Sequence, residues 1–215
     1  ESDFVEESIG YRPGRGAQQA IMALRETLND GSCRWVVEAD IRGYFENIDH
    51  GWLVRMLEER IDDQRLIRLI VKWLKAGILE EDGRTVDPET GTPQGGVISP
   101  LLANIYLHWF DKAFYAKNGP AQWAKATLVR YADDFVCAFQ HDKDAQRFYK
   151  ALIQRLARFG LEVAEDKTQV IEFSHCKARA KTKFDFLGFE FRWIVGRNRK
   201  PLLMRRTSRN KLRAS

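Results

Sequence analysis

The stretch that most constrains the fold is residues 126–140, ATLVRYADDFVCAFQ, in which two adjacent carboxylates separate two apolar runs. The pair Asp133 and Asp134 follows residues 128–129, Leu and Val, and precedes the run 135–139, FVCAF. Both runs are rich in β-branched and aromatic side chains, which is typical of short buried strands. The sequence therefore predicts a β-hairpin with the two carboxylates at its turn.

Two anions next to a hydrophobic core repel each other and resist the loss of their water. A divalent cation such as Mg²⁺ would relieve both costs, because carboxylate oxygens are ligands that Mg²⁺ prefers. The alternative is a solvated turn, since aspartate is common in turns. The hairpin taken alone leaves both interpretations open.

Length and composition indicate a globular protein. The 215 residues suffice for one large domain or two small ones, and 44% hydrophobic with 30% charged residues is typical of soluble proteins. No apolar run approaches the ~20 residues of a membrane span. The first residues lack the features of a signal peptide, and the absence of an initial Met favours a fragment or a processed product. Cys33, Cys137 and Cys176 are too far apart for a zinc motif or a disulfide framework, which favours a reducing, intracellular compartment.

Positive charge is concentrated at the C-terminal end of the chain. Residues 174–215 contain 13 Lys or Arg and two acids, a net charge of +11, whereas the rest of the chain carries 22 basic and 28 acidic residues, a net charge of −6. Such a basic block favours a polyanionic partner, most simply nucleic acid. A solvated basic tail is the alternative.

The order of the predicted elements indicates an α+β fold. After a helix at 17–28, we expect a strand at 34–41, helices at 52–61 and 63–76, a hairpin at 78–91, a helix at 101–117, the acidic hairpin, a helix at 144–159, short strands at 161–164 and 168–173, and a hairpin at 184–193. This order predicts an antiparallel sheet backed by helices, of the split βαβ kind. After Ile194 we expect a loop or the start of a further element.

Asp40 ends the strand at 34–41, so three carboxylates converge at one end of the sheet if that strand neighbours the acidic hairpin. Three converging carboxylates can hold two Mg²⁺ ions about 3.5–4 Å apart, one at an attacking 3′-hydroxyl and one at the triphosphate and leaving pyrophosphate. Phosphoryl transfer needs little beyond this positioning and charge neutralisation.

Six ordered blocks between residues 4 and 191 resemble the reverse transcriptases encoded by group II introns, a family that includes maturases. The blocks are FVEESIGYRPGRGAQQAI at 4–21, ADIRGYFENIDH at 39–50, TPQGGVISPLLANIYLHWFD at 92–111, YADD at 131–134, GLEVAEDKTQVIEF at 160–173 and FDFLGFEF at 184–191. The resemblance implies the palm of a right-hand polymerase with part of the fingers. We accordingly expect a partial fingers segment at 1–32, the palm with inserted fingers-type helices and a hairpin at 33–194, and a basic linker or the start of the thumb at 195–215.

The resemblance also implies roles for individual residues. Asp40, Asp133 and Asp134, with the carbonyl of Ile41, would hold two Mg²⁺ ions, for which Mn²⁺ can substitute, and Lys167 would complete the catalytic set by protonating pyrophosphate. The residues expected around the nucleotide are Ile41, Arg42, Gly43, Tyr44, Phe45, Pro93 and Gln94. Those expected along the primer and template are Arg12, Arg15, Gly95, Gly96, Leu187 and Gly188.

Several of these residues have structural alternatives. Phe45, which would act as a steric gate against a 2′-hydroxyl, is alternatively a core aromatic. Gln94 is alternatively a loop residue, and Lys167 an exposed lysine flanking a strand. Arg12 and Arg15 are alternatively solvated or helix-capping.

The activity that the resemblance implies is RNA-directed DNA polymerisation. Its partners would be an RNA template, a DNA primer, deoxynucleoside triphosphates and the host intron RNA, in the bacterial cytoplasm or an organelle and without a membrane. The alternative is an RNA-binding, maturase-type splicing factor that needs no catalysis; the intact acidic triad favours the enzyme, because RNA binding alone does not require it. An earlier fingers block and a complete thumb of the family lie outside these residues, so we expect this chain to fold and bind nucleic acid but to have little activity alone.

Overall fold

The computed structural model describes residues 3–75, 78–79, 85–86, 90–93, 96–178 and 182–208. Its helices are α1 (Ala17–Asn29), α2 (His50–Glu58), α3 (Gln64–Leu74), α4 (Ser99–Tyr115), α5 (Pro120–Trp123) and α6 (Asp142–Ala157). Its strands are β1 (Trp35–Ala39), β2 (Ile78–Leu79), β3 (Thr85–Val86), β4 (Thr127–Tyr131), β5 (Asp134–Phe139), β6 (Gln169–Glu172), β7 (Lys183–Phe186), β8 (Phe189–Val195) and β9 (Pro201–Thr207). None of the helices in this described part of the chain is long and apolar enough to cross a membrane.

A four-stranded antiparallel sheet with the order β4-β5-β1-β6 forms the centre of the fold. Tyr131 pairs with Asp134, so β4 and β5 form the predicted hairpin with Ala132 and Asp133 at its turn. Ala39 at the end of β1 pairs with Phe135 of β5, and β1 therefore neighbours the acidic hairpin. The predicted α+β fold, an antiparallel sheet backed by helices, is confirmed.

Side chains alternate between the two faces of this sheet, and each face is covered by a different layer. Val37 and Phe135 belong to a core shared with α2, α3, α4 and α6. Val36 and Val136 point to the opposite face, where α1 and the three-stranded sheet β7-β8-β9 form a second core. The central sheet is therefore enclosed on both sides, and its ends are the places where polar groups reach solvent.

Two of the helices that cover the central sheet, α2 and α3, begin directly after an aspartate whose side chain caps the helix. Asp63 caps α3 by accepting a hydrogen bond from the backbone N–H of Arg65 at 2.8 Å. Asp49 caps α2 in the same way through Trp52 at 2.7 Å, and α2 consequently starts at His50, two residues earlier than expected.

Two segments differ from the sequence expectation. The strand expected at 161–164 is wrong, because only Val163 forms an isolated bridge, to Ile41. The segment after Ile194 forms a regular strand, β9, which pairs with β8 from Pro201 to Thr207. Pairing of β2 with β3 confirms the hairpin near 78–91, while the turn expected at 82–83 lies outside the described residues. The division into domains stays a prediction.

Arg130 on β4 is completely buried and connects three parts of the molecule. Its guanidinium forms an ion pair with Asp111 of α4. It also donates hydrogen bonds to Asn104 Oδ1 at 3.1 Å, to Ser8 Oγ at 2.6 Å and to the carbonyl of Ala132 at 2.8 Å. A fully satisfied buried network of this kind specifies one arrangement of its members. The N-terminal loop, α4 and the acidic turn are therefore held together by one cation.

Replacing Arg130 by Met should strongly destabilise the protein, because Asp111 would remain buried without its counter-charge. Removal of one partner of a buried ion pair costs about 3–5 kcal/mol. Urea unfolding would measure this loss in the free energy of unfolding. The matched control is Arg25→Gln on the exposed face of α1, which should change stability by no more than about 0.5 kcal/mol. A loss below about 1 kcal/mol for Arg130→Met would contradict the role given to this network.

Candidate active site

The three predicted carboxylates lie at one end of the central sheet. Asp40 follows β1 directly, Asp133 occupies the β4–β5 turn, and Asp134 is the first residue of β5. Burial, followed by the negative charge of Asp40, raises the pKa of Asp133. Burial and the charges of Asp133 and Asp40 raise the pKa of Asp134 to about 6. The three groups are therefore close enough to resist simultaneous ionisation.

Lys167 supplies a positive charge at the same place. Its Nζ lies 2.9 Å from Asp40 Oδ2, and this contact raises the pKa of the lysine. The backbone N–H of Lys167 bonds to the carbonyl of Ala164 at 3.0 Å, and the N–H of Ala164 bonds to the carbonyl of Asp40 at 2.9 Å. The turn that carries the lysine is thus fixed to the residue that the lysine contacts. The structure brings together all four residues predicted as catalytic.

The donor set of this site fits Mg²⁺ bound together with a substrate. Among the described residues, no group of three or more His, Cys, Asp or Glu forms a ready-made metal cage. Mg²⁺ in polymerases, however, uses one or two carboxylates and takes its remaining ligands from water and substrate phosphates. Asp40, Asp133 and Asp134 offer hard oxygen ligands, and their mutual repulsion is a cost that a bound cation would remove.

A cavity of about 460 Å³ contains most of the residues expected around the nucleotide. Four residues expected around the nucleotide line it, Gly43, Tyr44, Phe45 and Pro93, and so does Gly96, which was expected along the primer and template. Phe45 is partly buried, packs against the hydrophobic core and lies edge-on to Tyr44 at 5.4 Å, so its role as a steric gate stays a prediction beside the core-aromatic alternative. Arg42 lies apart, exposed and 4.0 Å from Glu162. Gln94 and Gly95 lie outside the described residues.

A second cavity, of about 620 Å³, joins the carboxylates to the hairpin expected to hold the primer. Asp40, Asp134, Lys167 and Leu187 all line it. Leu187 and Gly188 form the β7–β8 turn with φ values of 50° and 77°, and Leu187 in particular is held in a conformation that costs free energy for a side-chain-bearing residue. Such strain is common where a turn must present its backbone to a ligand.

The two arginines of the N-terminal loop have partners within the chain. Arg12 is buried and donates hydrogen bonds to the carbonyls of Val5 and Ser8 at 2.8 and 2.9 Å. Arg15 forms an ion pair with Glu6. The structure thus shows local roles for both arginines, and their contact with nucleic acid stays a prediction.

Sequence reasoning missed two residues that shape the nucleotide cavity. Tyr11 lines the cavity in a left-handed conformation, with φ of 56°, and its ring lies 6.4 Å from that of Phe45 and 6.2 Å from that of Tyr131. Gly10 approaches the acidic turn so closely that a Cβ would lie 2.4 Å from the backbone nitrogen of Ala132. The glycine is a detectable signal in the sequence, whereas a left-handed tyrosine has none.

Glu38 is a third residue that sequence reasoning missed. It lines the larger cavity beside Asp134, and burial raises its pKa to about 7, partly opposed by a hydrogen bond from Gln169. Strand alternation places Glu38 on the same face of the sheet as Val36, where it pairs with Val136, and a single carboxylate on that face gives no signal of a site in the sequence.

The antiparallel sheet, its backing helices and the carboxylates at one end define the palm of a right-hand nucleic-acid polymerase. The chain belongs to the reverse transcriptase (RNA-dependent DNA polymerase) family, whose family model matches residues 2–191.

Similar proteins agree with this membership. The chain is 46% identical over 109 residues to the group II intron-encoded protein LtrA of Lactococcus lactis subsp. cremoris, a match that covers 51% of this chain and 18% of that protein. It is 36% identical over 165 residues to protein YkfC of Escherichia coli (strain K12), covering 63% of this chain and 43% of that protein. The chain therefore spans less than half the length of either relative.

Solved structures support the fold. The telomerase from Candida albicans, in complex with a fragment of telomeric RNA, superposes with a TM-score of 0.66 at 14% identity, covering 88% of this chain and 34% of that chain. The apo telomerase from Candida tropicalis gives a TM-score of 0.62 at 15% identity, covering 82% and 34%. At such low identity, these similarities concern the fold alone.

The raised pKa values predict that the carboxylates destabilise the metal-free protein at neutral pH. In the folded chain the pKa of Asp134 is about 6 against an ordinary value of 3.8, so the folded state binds the proton more tightly than the unfolded state. The free energy of unfolding should therefore fall as the pH rises from about 4 to about 6. Asp134→Asn should be more stable than the parent at pH 7, by on the order of 1 kcal/mol because Asp134 is exposed enough for solvent screening, and the two should converge below about pH 4.

Urea unfolding with a chelator present, at several pH values, tests this expectation. Asp62→Asn, at an exposed position between α2 and α3, is the matched control and should follow the parent at every pH. Parallel curves for the parent and Asp134→Asn would show that Asp134 does not carry the shift.

Proposed function

We propose that this chain carries the catalytic core of an RNA-directed DNA polymerase, which adds deoxynucleotides to the 3′ end of a DNA primer on an RNA template. The observation that carries the proposal is the convergence of Asp40, Asp133 and Asp134 between two cavities. The smaller cavity, beside Phe45, would receive the triphosphate, and the larger one, beside Leu187, would receive the primer end.

Each side chain then has a defined task. Asp40 and Asp133, with the carbonyl of Ile41, would hold Mg²⁺, and Asp134 would assist. Two bound ions supply activation of the 3′-hydroxyl and stabilisation of the charge on the leaving pyrophosphate. Lys167, whose Nζ lies 2.9 Å from Asp40 Oδ2, would donate a proton to that leaving group.

The names of the relatives favour RNA as a partner of the parent protein. One relative is the nuclear intron maturase 4, mitochondrial, of Arabidopsis thaliana, 29% identical over 115 residues. A splicing factor that binds intron RNA without catalysis is accordingly the second candidate function. For either function, we propose a location in the bacterial cytoplasm or in an organelle. The acidic triad favours the polymerase, because a binding protein has no need of three carboxylates that repel one another.

Asp133→Asn should reduce DNA synthesis by several orders of magnitude in the natural full-length protein, because it removes negative charge where the reaction must concentrate cations. Primer extension with Mg²⁺ measures the effect, and RNA affinity should change little. Asp62→Asn removes the same charge far from the site and should retain full activity. Near-normal synthesis by Asp133→Asn would exclude the proposed site and leave the splicing factor as the better candidate.

The position of Phe45 in the cavity predicts selection between sugars. Phe45→Ala should raise the incorporation of ribonucleotides relative to deoxyribonucleotides, because the ring no longer occupies the space of a 2′-hydroxyl. Phe45→Tyr keeps the ring and should keep the parental ratio. Single-nucleotide kinetics with both triphosphates give the ratio, and an unchanged ratio in Phe45→Ala would assign the ring to packing alone.

A further inference from the structure

A second cleft lies on the helical layer. Two cavities of about 590 and 460 Å³ open between α2, α4, α5 and α6, and both are lined by Ala113 and Arg155. They are neighbouring cavities that share these two residues, and we call the pair the helical groove. In the described part of the chain, no residue lines both this groove and either cavity beside the carboxylates. The groove is thus a separate feature of the surface.

Aromatic rings form much of the groove. The rings of Trp109 and Phe159 stack with a centroid distance of 3.8 Å, and Trp52 lies 4.8 Å from Phe159. Trp123 lines the smaller cavity. Trp52 is 36% exposed, and the other three rings are partly buried. Partly exposed rings in a cleft are the surfaces on which nucleic-acid bases stack.

Each tryptophan of the groove carries an arginine over its ring. The pairs and their distances from guanidinium carbon to ring centroid are Arg55–Trp52 at 5.0 Å, Arg155–Trp109 at 5.8 Å and Arg147–Trp123 at 4.3 Å. Six cations line the groove against only two carboxylates, Asp3 and Glu59. Asp3 already forms an ion pair with Arg60 at 3.3 Å. The groove therefore presents a positive excess together with planar surfaces.

Two side chains that line the 590 Å³ cavity of the helical groove, His108 and Trp109, have buried polar atoms without hydrogen-bond partners in the described part of the chain. Trp109 Nε1 and both ring nitrogens of His108 make no hydrogen bond to any described residue. Burial lowers the pKa of His108, which favours the neutral ring. A buried polar atom without a partner costs free energy, so the wall of this cavity carries a local cost at these two side chains.

We propose that the helical groove binds a single-stranded nucleic-acid segment, with its phosphates at the arginines and its bases against the tryptophan rings. This binding is separate from that of the primer and template at the carboxylates, and it does not depend on the polymerase activity. An acidic peptide could neutralise the cations, but it has no bases to pack against the exposed parts of the rings, such as Trp52, which is 36% exposed. The combination of charge and rings therefore favours a nucleic acid over an acidic protein segment.

The first test removes two cations of the groove. Binding of fluorescein-labelled 12-nucleotide oligo(A), as RNA and as DNA, to the 215-residue chain is followed by anisotropy over a series of salt concentrations without divalent ions. In the double variant Arg147→Gln and Arg158→Gln, the slope of log affinity against log salt should become shallower by about 1.4, since each single-strand phosphate contact contributes ~0.7. The matched control, Arg68→Gln with Lys72→Gln on the exposed face of α3, should keep the parental slope.

The second test removes a ring without changing charge. Trp52→Leu should weaken oligonucleotide binding roughly tenfold and leave the salt slope unchanged, because stacking is independent of counterions. Inorganic polyphosphate, which has charge but no bases, should compete poorly with either oligonucleotide. Tighter binding of the RNA or of the DNA supports the proposal and identifies the preferred sugar.

The proposal is overturned if the two double variants lose affinity equally, if Trp52→Leu binds like the parent, or if polyphosphate competes as well as oligo(A). Each of these outcomes would reduce the groove to a region of unspecific positive charge. Asp133→Asn should keep its oligonucleotide affinity, and the groove variants should keep whatever primer extension the parent shows. Oligonucleotide binding therefore tests the groove proposal, and primer extension tests the polymerase proposal, so that either proposal can fail without the other.

Discussion

The buried charge of Arg130 is the constraint on which the active-site end of this protein depends. A guanidinium with no solvent exposure must have its hydrogen-bond donors satisfied within the protein. It does so by joining Asp111 on α4, the N-terminal loop and the carbonyl of Ala132 just before the acidic turn. Because Asn104 contacts both Arg130 and the carbonyl of Gly10, the loop and the turn are bound to the same helix. The carboxylates are consequently placed by the core and not by their own interactions.

The carboxylates themselves work against the fold. Their burial and mutual repulsion raise the pKa values of Asp133 and Asp134, and the charges of Lys167 and Arg130 oppose this effect at Asp133. A protein selected for stability alone would replace such a cluster, and its retention is consistent with a functional demand. The stability supplied by the two surrounding cores allows this local cost to persist.

The sequence was sufficient for the parts of the structure in which local pattern and tertiary environment agree. The apolar runs around Asp133 predicted the central hairpin, and Asp63 marked the start of α3. The sequence was insufficient where tertiary packing decides the structure against the local hydrophobic pattern. In β9, only Leu203 among the paired residues is fully buried, so the strand lacks the alternation that identifies strands. Arg130 was overlooked as a core residue, because arginine is almost never fully buried unless paired.

The same contrast between local pattern and tertiary environment holds for the candidate active site. The apolar runs and the strand end located the carboxylates, whereas resemblance to a family, carried by six short ordered blocks, located Lys167 and the cavity residues. The contact between Gly10 and Ala132 joins segments more than a hundred residues apart, so the glycine is visible in the sequence but its partner is not. The left-handed backbone of Tyr11 has no local signature at all.

The close contact at Gly10 also determines how the active-site end can move. With no space for a Cβ between Gly10 and the acidic turn, the loop cannot slide over the turn without breaking the hydrogen bonds that hold both. Tyr11 at the wall of the smaller cavity and Asp133 at the turn are therefore held together by these contacts. A substrate seated against Tyr11 would meet the carboxylates at a separation fixed before it arrives. A displacement of about 1 Å can slow a reaction ~10²-fold. The contact between the two segments would therefore keep the distance between a substrate beside Tyr11 and the carboxylates constant.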